Sequence, residues 1–334
     1  MNTSATDLDA SIAAEVTRVV ELYDFTDDVR VTPLSRSENI VFLVDDPARE
    51  TKYVARVNSG RLAYHTGELI NCELDWLTAI REDTDVIVPE VIADRDGQRV
   101  HTLNVPGSPT PRFVSLYSFI SGAEPSEENL PAEFRRLGSI TARLHNHAKS
   151  WTPPVGFKRL TWTEDMILDD KLGWGHWQNG VGIEGETAVI LERAASVLRR
   201  QCEQLPKDRE SFGMIHADLR LANILVDGDQ IAIIDFDDCG FGWYLSELPA
   251  ALSFIEDHPD RDTLIHEWIA GYRAVSNLDQ AMIDQLPTLF MLRRFALLAW
   301  LGYQVDHLEF AREIGPRFTM EARKEAEAYL ARFG

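Results

Sequence analysis

Apolar residues recur along this chain in two rhythms. Leu8, Ile12, Val16, Val19, Val20 and Tyr23 lie three or four positions apart, the spacing of one helix face, so the pattern predicts a helix over 8–24. Short runs rich in β-branched residues then predict strands at 29–34, 40–44 and 53–57. Leu69, Ile70, Leu74, Leu77 and Ile80 return to helical spacing over 62–82. Three further strand-like stretches follow at 89–93, 99–104 and 112–119, with a tight turn at Asp96-Gly97 and a break at Ser121-Gly122. Beyond the break the rhythm is mostly helical: 131–149, 186–204, 248–255, 263–275, 287–308 and about 317–332. The stretch 156–185 is irregular and aromatic-rich.

One stretch departs from that helical half. Residues 212–242 read FGMIHADLRLANILVDGDQIAIIDFDDCGFG. An apolar run ends at Ile215, and His216, Asp218 and Asn223 follow. Ile224-Leu225-Val226 and Ile231–Ile234 flank an Asp227-Gly228 turn, a strong hairpin signal, and Asp235 closes the second run. That register would bring Asp218, Asn223 and Asp235 side by side. Asp and Asn near turns often only bond local backbone, but three oxygen-bearing groups flanked by two apolar strands suit phosphoryl transfer. Hard Mg²⁺ takes carboxylate, carbonyl and phosphate oxygens, and a further carboxylate can orient a hydroxyl and accept its proton.

The sequence H-x-D-L-x-x-x-N, a hairpin and I-D-F resembles the catalytic and metal loops of the protein-kinase-like fold. It is most similar to the aminoglycoside phosphotransferase and choline kinase superfamily, in the bacterial phosphotransferase branch that includes type II homoserine kinases and a stress-response kinase. The resemblance is specific around 212–242 and weaker elsewhere. It implies an α+β, two-lobed protein-kinase-like fold. An antiparallel-sheet N-lobe would span 1–120 and a mainly helical C-lobe 121–334.

The same resemblance implies roles. Asp218 would be the catalytic carboxylate, Asn223 and Asp235 the Mg²⁺ ligands, and His216 a structural residue. Arg220 would either face the γ-phosphate or stay solvated. Ser35-Arg36-Ser37-Glu38-Asn39 stands where a glycine-rich loop usually covers ATP phosphates, and it has no glycine. Ser35, Ser37 and Asn39 would cradle phosphate there, or form an ordinary polar turn. Arg56 in Tyr53-Val54-Ala55-Arg56-Val57 takes the place of the usual Lys, and Lys52 lies on the same strand face. Glu73, mid-helix among apolar neighbours, needs a partner if buried, and Arg56 is the candidate. Backbone from about Leu116 to Ser118 would bond the adenine edge. Trp174 and Trp177 either line the acceptor pocket or plug the core. Asp237 and Asp238 are placed at the acceptor rim, where they would attract an amine. Glu247 stands where the family usually has an Asp that braces the catalytic loop.

Composition narrows the partners. The 334 residues carry a formal net charge of -21 with 45% hydrophobic content. That excess of acid argues against nucleic acid and against an anionic membrane surface; it either serves simple solubility or steers toward a small-molecule acceptor bearing an amine. Cys72, Cys202 and Cys239 fit no disulfide framework or zinc spacing. With no signal-peptide pattern at the start, a reducing cytoplasm is expected. The longest apolar run, near 295–305, is too short to span a bilayer. The first expectation is therefore an ATP- and Mg²⁺-dependent small-molecule O-kinase. A protein Ser/Thr kinase and a non-catalytic nucleotide-binding module remain the alternatives.

Overall fold

The computed structural model describes residues 5–60, 64–106 and 110–334, and the chain forms two compact units. The first comprises residues 1–123, 152–159 and 225–237; the second holds 124–151, 160–224 and 238–334.

In the first unit, helix α1 (Ala5–Val20) precedes strands β1 (Arg30–Arg36), β2 (Ile40–Asp46) and β3 (Thr51–Val57). Helix α2 (Gly67–Asp83) follows, then β4 (Val91–Ile92), β5 (His101–Leu103) and β6 (Arg112–Ser118). The sheet order is β1-β2-β3-β6-β4, with β5 also on β6, and every pairing is antiparallel. Alternation explains the core. Ile40, Phe42 and Val44 of β2 are buried with Ala55, Val57, Val114 and Leu116, and the α1 stripe Ile12, Val16, Val19 and Val20 closes over them. Helix α2 starts where Thr66 accepts the Leu69 N–H at 3.3 Å, a side-chain cap.

The Asp-Gly hairpin forms as the pattern predicts, from β9 (Ile224–Asp227) and β10 (Gln230–Ile233), with Gly228 at φ +56°. All of it but Ile224 groups with the first unit, although it lies far along the chain. Backbone bonds give the reason. Val226 N–H donates to Ala123 O at 2.8 Å, and Ile233 N–H to Ile87 O at 2.9 Å. The units therefore differ from a simple division at residue 120 by two later segments, 152–159 and 225–237.

The second unit is mostly helical: α3 (Leu130–Ser150), α4 (Glu164–Leu168), α5 (Gly185–Cys202), α6 (Glu247–Ala251), α7 (Arg261–Arg273), α8 (Gln280–Ile283), α9 (Leu286–Gln304) and α10 (Glu309–Phe333). Its small sheet was not read from the sequence. Strand β11 (Gly240–Trp243) lies between β7 (Leu160–Thr161) and β8 (Phe212–Ile215). Helices α3 and α7 pack backbone to backbone. A Cβ on Gly138 would lie 2.0 Å from Trp268 O, and one on Gly271 only 1.8 Å from Arg135 O, so neither position admits a side chain. The last helix begins at Glu309 rather than near 317 and runs through Pro316. A proline removes one helical hydrogen bond, and burial of Ala311, Gly315 and Phe318 on the same face holds the helix together across it. The apolar run near 295–305 lies in the buried helix α9. Among the described residues no helix is long and apolar enough to cross a membrane, and the three cysteines are buried and form no disulfide.

Candidate active site

The second unit carries Asp218. Strand β8 ends at Ile215, and the chain turns through Ala217, which adopts the left-handed φ of +69°. This corner aims the next residue out of the strand direction and costs backbone energy in a residue with a Cβ. Glu247, at the start of α6, holds the corner: its Oε1 accepts the N–H of His216 at 2.5 Å and of Ala217 at 3.2 Å. The longer acid thus does the bracing expected of an Asp. Among the described residues its Oε2 is buried without a hydrogen-bond partner. Burial pushes the Glu247 carboxyl up to about 7, against the lowering effect of the two N–H donors.

Three side chains grip the Asp218 carboxylate. Arg293 from α9 donates to Oδ1 at 2.7 Å, Arg220 to Oδ2 at 3.1 Å, and Asn223 Nδ2 to Oδ2 at 2.9 Å. Burial acts to raise its pKa, but Arg220 and Arg293 outweigh that and hold it below the ordinary Asp value. His216 is fully buried, and its Nδ1 accepts the Asp218 N–H at 3.3 Å, in line with a structural role. Asn223 also donates to the Asp218 carbonyl at 2.8 Å. Both bonds use Nδ2, so Oδ1 is the atom that Asn223 has to offer a cation.

The first unit carries the other group of polar residues. Arg56, next to the last residue of β3, donates from Nη2 to both oxygens of Glu73, at 2.6 and 2.8 Å, and both residues are buried. The expected pair therefore forms, with one guanidinium nitrogen shared between both carboxylate oxygens. The Tyr117 ring lies 5.2 Å from the guanidinium carbon. Burial opposes the Arg56 charge, but Glu73, Asp237 and Asp235 more than offset it, and its pKa lies well above the ordinary value. Asp235 follows β10 at φ +62°, another left-handed non-glycine position. It keeps 43% of its side chain exposed while Oδ1 lies 3.4 Å from Arg56 Nη1.

Several expected placements change. Asp237 belongs to no rim: it is 7% exposed, and Asn39, Asn58 and His65 bond its carboxylate at 2.7, 2.9 and 3.0 Å. Burial would raise its pKa, but His65 and Arg56 hold it far below the usual carboxylate range. Asp238 is half-buried, and its carbonyl accepts the Trp162 indole N–H at 2.8 Å. Trp177 is 1% exposed, edge-on to Phe295 at 4.9 Å, and Trp174 is 7% exposed beside Trp162. Both fill core, which is the second of the two readings open to them. Ser35 lies within β1, so the connection to β2 is only residues 37–39, tightened by Ser37 N–H on Asn39 O at 3.0 Å. Asn39 is buried, with its amide turned to Asp237.

The backbone expected to meet adenine is also committed. Leu116 is buried in a strand paired on both sides, with Ala55 and with Ile92. Ser118 N–H donates to Glu90 O at 2.9 Å, and Phe119 N–H to Lys52 O at 3.2 Å. Arg293, Asn58, His65 and Arg159 were not singled out from sequence. Only the Arg293-Arg294 pair inside an apolar run hinted at a buried cation.

The Asn223 amide oxygen is a hard donor in the second unit, and the Asp235 carboxylate is one in the first. Such donors suit a hard divalent cation that completes its shell with phosphate and water. Among the described residues no cluster of three or more His, Cys, Asp or Glu is arranged to hold a metal by itself.

Comparison with known proteins gives the family. A family model described as "Phosphotransferase enzyme family" matches residues 30–282. The structure of a microcompartment-associated aminopropanol kinase superposes with a TM-score of 0.85 at 40% identity, covering 96% of this chain and 98% of that one. An amicoumacin kinase in complex with AMP-PNP and Ca²⁺ shares the fold, with a TM-score of 0.78 at 20% identity over 96% of each chain. Among curated proteins, amicoumacin kinase of Bacillus subtilis is 26% identical over 183 residues, 52% of this chain and 52% of that protein. The matched region thus spans about half the length of that curated relative.

Proposed function

The chain belongs to the phosphotransferase enzyme family, and from that premise we propose that it transfers the γ-phosphate of Mg²⁺-ATP to the hydroxyl of a short amino alcohol. The observation that carries this reading is the Asp218 carboxylate, fixed by Arg293, Arg220 and Asn223 at a strained corner. In this reading Asp218 orients the acceptor hydroxyl and takes its proton as the new O–P bond forms and the bond from Pγ to the ADP oxygen breaks. Arg56, kept charged by Glu73, faces the phosphates. Asn223 and Asp235 would hold Mg²⁺, which when bound neutralises charge on phosphate oxygens.

Two observations support a short acceptor. The 40% identical relative is an aminopropanol kinase by its description. In the second unit, a cavity of ≈ 30 Å³ beside Ala217 and Arg293 is lined by Trp162, Ile167, Leu289 and Ala296. The apolar side chains among these suit a short aliphatic segment. The net charge of -21 favours a cationic acceptor.

The test is phosphate transfer from ATP with Mg²⁺ to a panel of 1-amino-2-propanol, ethanolamine, choline, kanamycin and casein. Transfer to the amino alcohols, abolished in Asp218→Asn, is the expected result. Transfer to casein alone would replace this reading with a protein kinase. Nucleotide binding without transfer to any acceptor would leave a non-catalytic module.

A further inference from the structure

Asp237 joins three stretches of the first unit that are remote in sequence. Its Oδ1 accepts from Asn58, just past β3, at 2.9 Å. Its Oδ2 accepts from Asn39, at the end of the β1–β2 connection, at 2.7 Å and meets His65 Nε2 at 3.0 Å. Arg56 Nη2 lies 3.7 Å from Oδ1, and the Asp237 carbonyl accepts from Arg159. A second layer ties the same points together. Asn39 Oδ1 accepts the Ser59 N–H at 3.2 Å, and the Ser59 hydroxyl meets His65 Nδ1 at 3.0 Å.

We propose that Asp237 is a positioning residue for the nucleotide: by holding Asn39, it fixes the 37–39 connection in the shape that receives the triphosphate. The inference rests on the kinase reading above and concerns the same site. A glycine-rich loop can close over phosphate because its backbone is free to rearrange. This connection has no glycine, and Ser37 N–H is already bonded to Asn39 O at 3.0 Å. A loop of that kind cannot refold cheaply around a ligand, so its shape has to be set beforehand. Ordering achieved during folding is then not charged against binding. An acid near a phosphate site would ordinarily repel the ligand. Here Arg56, His65 and two amide groups surround the carboxylate, so it serves the loop without presenting bare charge.

The experiment measures AMP-PNP binding with Mg²⁺ by calorimetry, and KM for ATP and for 1-amino-2-propanol. The proteins are wild type, Asn39→Ala, Asp237→Asn and the exchanged pair Asn39→Asp with Asp237→Asn. Each single variant is expected to weaken AMP-PNP binding and raise KM for ATP by about tenfold, the scale of one lost charge-assisted bond. KM for the amino alcohol should stay put. The exchanged pair, which restores a carboxylate–amide bond with the same net charge, should recover most of the loss. Asn39→Ala leaves Asp237 its bonds to Asn58 and His65, so it decides the matter if Asp237→Asn does not fold. Unchanged AMP-PNP affinity in Asn39→Ala overturns the inference, as does an equal rise in both KM values or no recovery in the exchanged pair. If wild type binds AMP-PNP and the variants bind equally well, only this inference fails. If wild type binds no nucleotide, the kinase reading fails with it.

Discussion

Arg293 holds Asp218 across a sequence separation of 75, donating to its Oδ1 at 2.7 Å. The same guanidinium donates to the Ala217 carbonyl at 3.1 Å and the Ser253 hydroxyl at 2.9 Å. One side chain from α9 therefore fixes both the carboxylate and the corner that presents it. Arg293→Ala should lower kcat by about 10- to 100-fold, the cost of misplacing a reacting group by roughly 1 Å. Because Arg293 helps hold the Asp218 pKa low, its loss should also move the acid limb of the kcat/KM profile to higher pH. Arg293→Lys should fall between wild type and Arg293→Ala. A pH-rate profile of the three proteins checks both points.

Asp218→Asn keeps the shape of the side chain but cannot take a proton. Phosphate transfer should fall by about 10²- to 10⁴-fold, while AMP-PNP affinity changes little. Steady-state kinetics beside calorimetry distinguish this from a general loss of structure.

The Arg56–Glu73 pair is buried, with one guanidinium nitrogen on both carboxylate oxygens. Glu73→Ala would leave a buried guanidinium short of its main counter-charge, and should cost about 3–5 kcal/mol in urea denaturation. Arg56→Lys keeps charge but loses the planar fork. It should cost less stability than Glu73→Ala and still raise KM for ATP.

Glu247 gives a stability signature in pH. Its folded-state pKa is raised to about 7 from the ordinary 4.5, so its favourable contribution is complete below about 4.5 and disappears as pH rises through about 7. Wild type should therefore lose stability between pH 5 and 8 relative to Glu247→Gln, by roughly 2–3 kcal/mol. Gln retains an oxygen to accept the His216 and Ala217 N–H groups. Denaturant melts of both proteins across that range check the sign.

What could be read from sequence was what lies close along it. The Asp-Gly turn, the apolar runs beside it and the spacing of Asp218, Asn223 and Asp235 announce the hairpin and its chemistry. Arg56 and Glu73 are 17 positions apart, and strand and helix periodicity gave each its inward face. Asn39 and Asp237 are 198 positions apart, and nothing local says that the amide of one will find the carboxylate of the other. Two adjacent acids, Asp237 and Asp238, look alike in sequence, yet only Asp237 turns its carboxylate into the Asn39, Asn58 and His65 cluster. Trp174 and Trp177 were ambiguous for the same reason, since a large aromatic suits a pocket wall and a core equally well.

The methyl group of Ala217 has a practical consequence. At φ +69° a glycine would sit without penalty, whereas alanine stores on the order of 1 kcal/mol. A search for heat-resistant variants would therefore arrive early at Ala217→Gly. The same exchange would slacken the hinge from which Asp218 projects. Gains in melting temperature at this position should be weighed against turnover, because a strained residue adjoins the carboxylate proposed to take the proton.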